Sequence, residues 1–441
     1  MSLSRSLNTG TSSLQANQQG FDVISNNIAN VGTYGYKSSR TNFAEQFSQT
    51  YSYGKSPDNT GGVGVGGVNP YQVGLGVYVG STTYNMNQGT PETTNRPLDM
   101  MINGDGYFIY NNNGQDLYSR AGAISKDEDG NLTDSNTGAF LQGYNVKTDA
   151  NGRIVKDSNG DTVIDRTKKN LTVSPNTISP PSQTSNVTLS GNLNYGDATG
   201  AERQTSIDIY DNLGNSHTLN FTFTKSATAS EYTLKAQIDG KDLTLANSTV
   251  KFNATDGTLE TPTSITFKAS DLNTAVGSKG FDESNNKTLN VQLGKSGTSL
   301  TGLTQYKGPN TATATEQDGY SSGTLNDISV DDEGKIWGSF SNNKSEVLGQ
   351  VIIAKFSNPA GLTHVGSNFL TPSPNSGLPN IGSPGETFPS TKIKSNTLEM
   401  SNADLTTEFT SMITAQRSYE AAARIITTSD TLLETTLSLK R

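Results

Sequence analysis

Apolar residues recur every seventh position near the start of the chain, at Leu7, Leu14, Phe21 and Ile28. A companion series runs through Leu3, Gly10, Asn17, Ile24 and Val31, giving a heptad-like stripe with two small or polar interruptions. The spacing predicts a helix over residues 1–31, stopped by Gly32 as a C-cap. Near the other end, Leu405, Phe409, Met412, Gln416, Tyr419, Ala423, Ile426, Asp430, Leu433 and Leu437 follow in alternating four- and three-residue steps. Ile413, Ile425, Leu432 and Leu439 widen that face. A second helix is predicted over about residues 402–438, with Ser401 and Asp404 resembling a capping box and Glu420–Arg424 forming an i,i+4 pair. Amphipathic helices usually pack on the core of their own domain. Heptad spacing at both termini favours the other arrangement, in which the ends pair and bury their stripes against further copies of the chain.

Between the helices the period changes from helical to strand-like. Residues 54–80 are Gly-rich with alternating Val and read as an extended arm. Strand-like runs follow at Tyr107-Phe108-Ile109-Tyr110 and at Val347 to Ala354, and alternation over 207–224 reads as a hairpin. Asp followed by Gly three residues later recurs at Asp127/Gly130, Asp149/Gly152, Asp157/Gly160, Asp211/Gly214 and Asp331/Gly334. Asp bonds the backbone of a type I turn and Gly takes the left-handed residue, so each pair predicts a tight connection.

Composition narrows the function. The chain has 441 residues, enough for about three domains, with 31% hydrophobic residues and 45 glycines. A net charge of −9 disfavours a nucleic-acid binder, which needs a basic face to displace counterions, and also disfavours anionic lipid. No apolar run is long enough to predict membrane insertion, and the first 30 residues lack the apolar core of a cleaved secretory signal. The absence of cysteine removes disulfides, thiolate metal sites and cysteine nucleophiles.

Catalytic and cofactor patterns are weak. Asp157 to Asp161 opens like a calcium loop, but Thr162 and Lys168 stand where such a loop needs Gly and Glu. Gly62 to Gly67 matches a dinucleotide string without a helix to follow, given Pro70 and the Val–Gly alternation. His217 and His364, the two histidines, have no metal or nucleophile-elbow spacing. No catalytic residue, cofactor or metal is expected.

Three motifs carry a resemblance. Ser25 to Lys37, with Asn26, Asn27, Ala29, Asn30, Gly35, Tyr36 and Lys37, resembles the N-terminal motif of the bacterial flagellar rod and hook family, although that family usually has Asn where Gly32 stands. Ser401 to Leu405, including Asp404, then Met412-Ile413 and Gln416-Arg417-Ser418-Tyr419, is similar to the family's C-terminal motif. Leu98 to Phe108, Tyr118 to Gly122 and Leu141 to Tyr144 are similar to its β-domain. Rod members are shorter, and Ile209 to His217 resembles the outer domain of the hook members.

The resemblance implies a mainly β chain with long terminal α-helices and nested domains. The helical, coiled-coil-like part would be 1–35 and 395–441, the arm 36–95, the inner β-domain 96–180 and 301–380, and an inserted outer β-domain 181–300. It implies an extracellular, non-enzymatic subunit of a helical homopolymer, exported by the flagellar type III apparatus. Its partners would be a distal rod protein, an assembly cap and a hook–filament junction protein. The assembly interface would be Leu3, Leu7, Leu14, Phe21, Ile24, Ile28, Val31, Leu405, Phe409, Met412, Tyr419, Ile426, Leu433 and Leu437. Competing readings are a distal rod or junction protein, and a secreted β-rich adhesin or glycan-active enzyme. The latter would need paired carboxylates across a cleft.

Overall fold

The computed structural model describes residues 2–57, 66–147, 154–157, 161–174, 176–283, 287–297 and 301–439. Three α-helices occur among them: α1 (Ser2–Ala29), α2 (Ala269–Val276) and α3 (Leu405–Ser438). The remainder is mostly strand.

Helix α1 stops at Ala29, short of the predicted residue 31. Asn30 closes the last turn onto the Asn26 carbonyl at 3.1 Å, and Val31 lies beyond the helix. The left-handed glycine is Gly35, at φ +71°, and not Gly32. A Cβ on Gly35 would stand 2.6 Å from the Ala121 nitrogen, so the chain passes that β segment only without a side chain. Helix α3 begins at Leu405, three residues later than predicted. Asp404 is itself the N-cap, accepting from the Thr406 amide at 3.0 Å and the Thr407 hydroxyl at 2.6 Å. Those bonds hold the Asp404 carboxyl below the usual carboxylate range. Ser401 accepts only from the Ala403 amide, and Glu420 pairs with Arg417 at 3.1 Å instead of with Arg424.

After α1 the chain forms an arm. Ser39–Glu45 pairs antiparallel with Val77–Tyr84, and Ser48–Ser52 continues the ribbon against Tyr71–Gly74. The ribbon lies along α1, where Thr9 and Ser12 bond the Leu75–Val77 backbone. Gly76, at φ +137°, has room for no side chain against Ser12.

The inner β unit is a fourteen-stranded sheet among the described residues. Its main path runs Ile178–Ser179, Gly323–Val330, Lys335–Phe340, Ser345–Val351, Phe140–Asn145, Tyr107–Asn112, Gln115–Ser119, Phe369–Thr371, Thr363–Gly366. Its core holds Met100, Phe108, Tyr110, Leu141, Ile336 and Val351, all fully or almost fully buried. The predicted strands at 107–110 and 347–354 are central to it, the latter broken at Ile352. Two of the described Asp–Gly turns serve it: Gly130 and Gly334 have positive φ and donate to the carbonyls of Asp127 and Asp331 at 3.1 and 3.0 Å. The pair Asp149/Gly152, most of the Asp157–Asp161 loop and most of the Gly62–Gly67 string lie outside the described residues.

The outer β unit has its own core. Strand Ser216–Lys225 buries every second residue, including Leu219, Phe221 and Phe223, as the alternation predicts. It pairs with Glu202–Tyr210 through the turn at Asp211/Gly214. Leu303–Thr304 and Thr313–Gln317 pair with Asn186–Asn192 of this unit, so these strands lie with the outer core and not with the inner sheet expected from 301 onward. That pairing spans more than 110 residues, which local pattern cannot reveal. The chain leaves at Ser182 and returns at Tyr320, whose backbones exchange two hydrogen bonds of 3.0 Å.

Because the exit and return are adjacent, replacing residues 183–319 with a short Gly/Ser linker should leave the inner sheet folded. Circular dichroism and a single cooperative melt of the shortened chain check this. Loss of cooperative melting would show that the inner sheet needs the outer unit.

Candidate functional site: helix pair and junction

Helices α1 and α3 pack antiparallel along a seam made mostly of small residues. Gly10, Ala422 and Ser429 are buried, and a Cβ on Gly10 would come within 2.8 Å of Ile426 Cγ1. Small side chains let the backbones approach, so half-buried Leu14, Met412, Ile426 and Leu433 close the seam from its edges. At the far end of the seam Asn27 is 1% exposed. It donates to Glu408 Oε1 at 3.0 Å and to the Ser39 carbonyl at 2.7 Å, and accepts from the Ser39 amide and the Tyr36 hydroxyl. Burial pushes the Glu408 carboxyl up, while the bond from Asn27 pulls it down.

Just beyond, the chain crosses between the helix pair and the β units. Glu399, in strand Thr397–Glu399, is completely buried. Its Oε1 accepts from Lys37 Nζ at 2.5 Å and from the Gly89 amide at 2.9 Å. Its Oε2 lies 3.4 Å from Arg120 Nη1. Lys37 also donates to the Asn87 carbonyl, and Arg120 lies over the Tyr107 ring. Burial lowers the Lys37 pKa, with Glu399 opposing the shift. Asn402 stitches the same place, accepting from the Ser38 amide and donating to the carbonyls of Asn85 and Asn87. Four separate chain segments therefore meet at one buried carboxylate.

The motif residues have distinct places. Asn26 accepts from Asn30 and donates to Tyr36, Gly35 gives the close passage, and Lys37 enters the ion cluster. Ala29, Gln416 and Arg417 are exposed. Among the stripe residues, Leu7, Leu14, Phe21, Ile24, Ile28 and Val31 are half-buried, as are Met412, Ile426 and Leu433. Leu405, Phe409, Tyr419 and Leu437 are exposed, and the Leu3 side chain lies outside the described residues. Glu399 was not singled out by sequence reasoning, although an acid between Leu398 and Met400 in an otherwise neutral stretch is the available signal.

Comparison with known proteins covers both ends and the middle. Family models match at residues 7–37 (flagella basal body rod protein), 101–192 (flagellar hook protein FlgE/F/G D1 domain), 179–320 (flagellar basal body protein FlaE D2 domain) and 394–439 (flagellar basal body rod FlgEFG protein C-terminal). The flagellar hook protein FlgE of Treponema pallidum is 32% identical over 99% of this chain and 100% of its own length. The chain belongs to the flagellar hook protein family. The FlgE of Borreliella burgdorferi is also 32% identical, and that of Salmonella typhimurium 30%, each over 99% of this chain and 99% and 100% of their own. A solved Helicobacter pylori FlgE2 structure covers 70% of this chain and 100% of its own, with a TM-score of 0.45 and 14% identity. As a hook-family member, the chain is a structural subunit of the flagellar hook, an extracellular appendage. Its architecture is mainly β with terminal helices, in a multi-domain layout.

Two outcomes follow from the geometry. Glu399→Ala leaves Lys37 and Arg120 buried without a counter-charge, and should cost about 3–5 kcal/mol in urea unfolding. An unchanged midpoint would mean that the cluster is dispensable. Gly10→Val should force α1 and α3 apart and shift labels on the two helices to longer distances, with no change in the β-sheet circular dichroism.

Proposed function

We propose that this subunit polymerises through its terminal helices into a curved, flexible tube that transmits torque from rod to filament. The observation that carries this is the row of large apolar side chains left on α3. Phe409 is 50% exposed, Ile413 58%, Ile425 47% and Leu432 51%, with Leu405, Tyr419, Leu437 and Leu439 also exposed. At about 100° per residue, Leu405 and Phe409 fall on one side of the α1 seam and Ile425, Leu432 and Leu439 on the other. A helix flanked by two apolar strips needs two neighbours, and each fully buried Leu or Phe contributes roughly 1.5–3 kcal/mol before ordering costs. Different patches meeting on successive copies give heterologous contacts, which extend as a helix when they do not close into a ring. A polar outer β unit suits wet outer contacts that exchange as the tube bends. In this reading the partners besides self are the distal rod protein, the assembly cap, the hook–filament junction protein and the type III export apparatus. No residue is assigned a catalytic role.

Phe409→Asp and Leu432→Asp should each block polymerisation, because an unpaired carboxylate would have to be desolvated between copies. Thr431→Asp, on the face away from the seam, should polymerise like the parent. Sedimentation and electron microscopy read this, with monomer circular dichroism as the folding control. Polymers from all three variants would remove the terminal helices from the assembly interface.

A further inference from the structure

The two crossings between inner and outer β units meet a third segment. Among the described residues, 146–147, 154–157 and 161–165 follow the strand Phe140–Asn145 and form a finger held by pairing of Val146 with Ile164 and of Lys156 with Thr162. Lys156 on this finger donates to Glu346 Oε1 at 2.7 Å and to the Tyr320 hydroxyl at 3.3 Å. Ser179 donates to the same Glu346 oxygen at 3.1 Å. Tyr320 lies on the return crossing, and Ser179 leads into the outgoing one. Lys344 Nζ stands 4.9 Å from the centre of the Tyr320 ring and Lys156 Nζ 6.0 Å, both within cation–π reach.

The chemistry makes this contact hard to exchange. Glu346 is 5% exposed, and its Oε2 is buried with no hydrogen-bond partner among the described residues. Its charge therefore depends on Lys156 and Ser179. Burial pushes the Lys156 pKa down, but the bonds to Glu346 and Tyr320 outweigh it and the net shift is upward, so the lysine stays an ammonium. Two other ion pairs line the same cavity, Lys335 with Glu333 at 2.6 Å and Arg166 with Glu386. Units joined by two thin crossings ordinarily move relative to one another.

We propose that the finger is a latch, in which Lys156 and Lys344 grip Tyr320 over the buried Glu346 and fix the angle at which the outer unit leaves the inner one. Lys156 and Tyr320 are thus positioning residues. In a tube whose subunits change spacing as it bends, the latch would force the change into contacts between copies instead of into each subunit.

The full chain has no cysteine, so two introduced ones are unique labels. Glu128→Cys in an inner-unit turn and Lys235→Cys on the outer sheet are exposed positions for spin labels. Distances are read on monomer, so the outcome does not depend on the assembly reading. The parent should give one narrow distribution. Tyr320→Ala and Lys156→Met should each broaden it by about twofold or more, with β-sheet circular dichroism unchanged. Tyr320→Phe, which keeps the ring, and Lys156→Arg, which keeps the charge, should stay near the parent width. Lys156 lies in neither hydrophobic core, so Lys156→Met serves even if Tyr320→Ala disturbs the fold. Parent-like widths for Tyr320→Ala and Lys156→Met in folded protein would overturn the latch.

Discussion

A single buried carboxylate ties this subunit together. Glu399 has no contact with water, and its charge is tolerable only because Lys37, Arg120 and the Gly89 amide surround it. Those partners come from the end of the N-terminal motif, the returning arm and the inner sheet. Satisfying one charge therefore fixes how the helix pair, the arm and the β units leave a common point. Gly35 belongs to the same constraint, since its missing side chain lets the segment before Lys37 pass against Ala121. A hydrophobic contact could hold these pieces together, but it would specify direction less sharply than hydrogen bonds with fixed geometry.

The helix pair divides its side chains by size. Small residues at Gly10, Ala422 and Ser429 go to the seam within one chain, and large ones such as Phe409 and Leu432 stay outside. A close seam leaves little apolar area to bury within the subunit. Large apolar side chains of α3 such as Phe409, Ile413, Ile425 and Leu432 are thereby left uncovered within the chain.

The nested β units follow from adjacency. Ser182 and Tyr320 hydrogen-bond across the base of the outer unit, so a second unit with its own core is inserted without disturbing the first sheet. The cost of such an insertion is orientational freedom, and the charges around Glu346 sit where that freedom would be expressed.

Much was legible in the chain by itself. Heptad spacing located both terminal helices, a short apolar run located the strand at 107–110, alternation over 207–224 located the hairpin, and Asp–Gly pairs located the turns at Asp127, Asp211 and Asp331. The motifs at 25–37 and 401–419 placed the chain in its family. These signals are local, because dihedral preferences, side-chain period and turn chemistry act over a few residues. What only the tertiary structure decided is long-range. It ended α1 at Ala29 and moved the left-handed glycine to Gly35, because the packing of Ala121 sets that turn. It assigned the strands at 303–304 and 313–317 to the outer unit through pairing with Asn186–Asn192. It also split the C-terminal stripe into a seam and two exposed flanks, and gathered Lys37, Arg120 and Glu399 around one charge. A heptad shows that a face is apolar but not what covers it, and a charge shows its partner only once the chain has brought the two together.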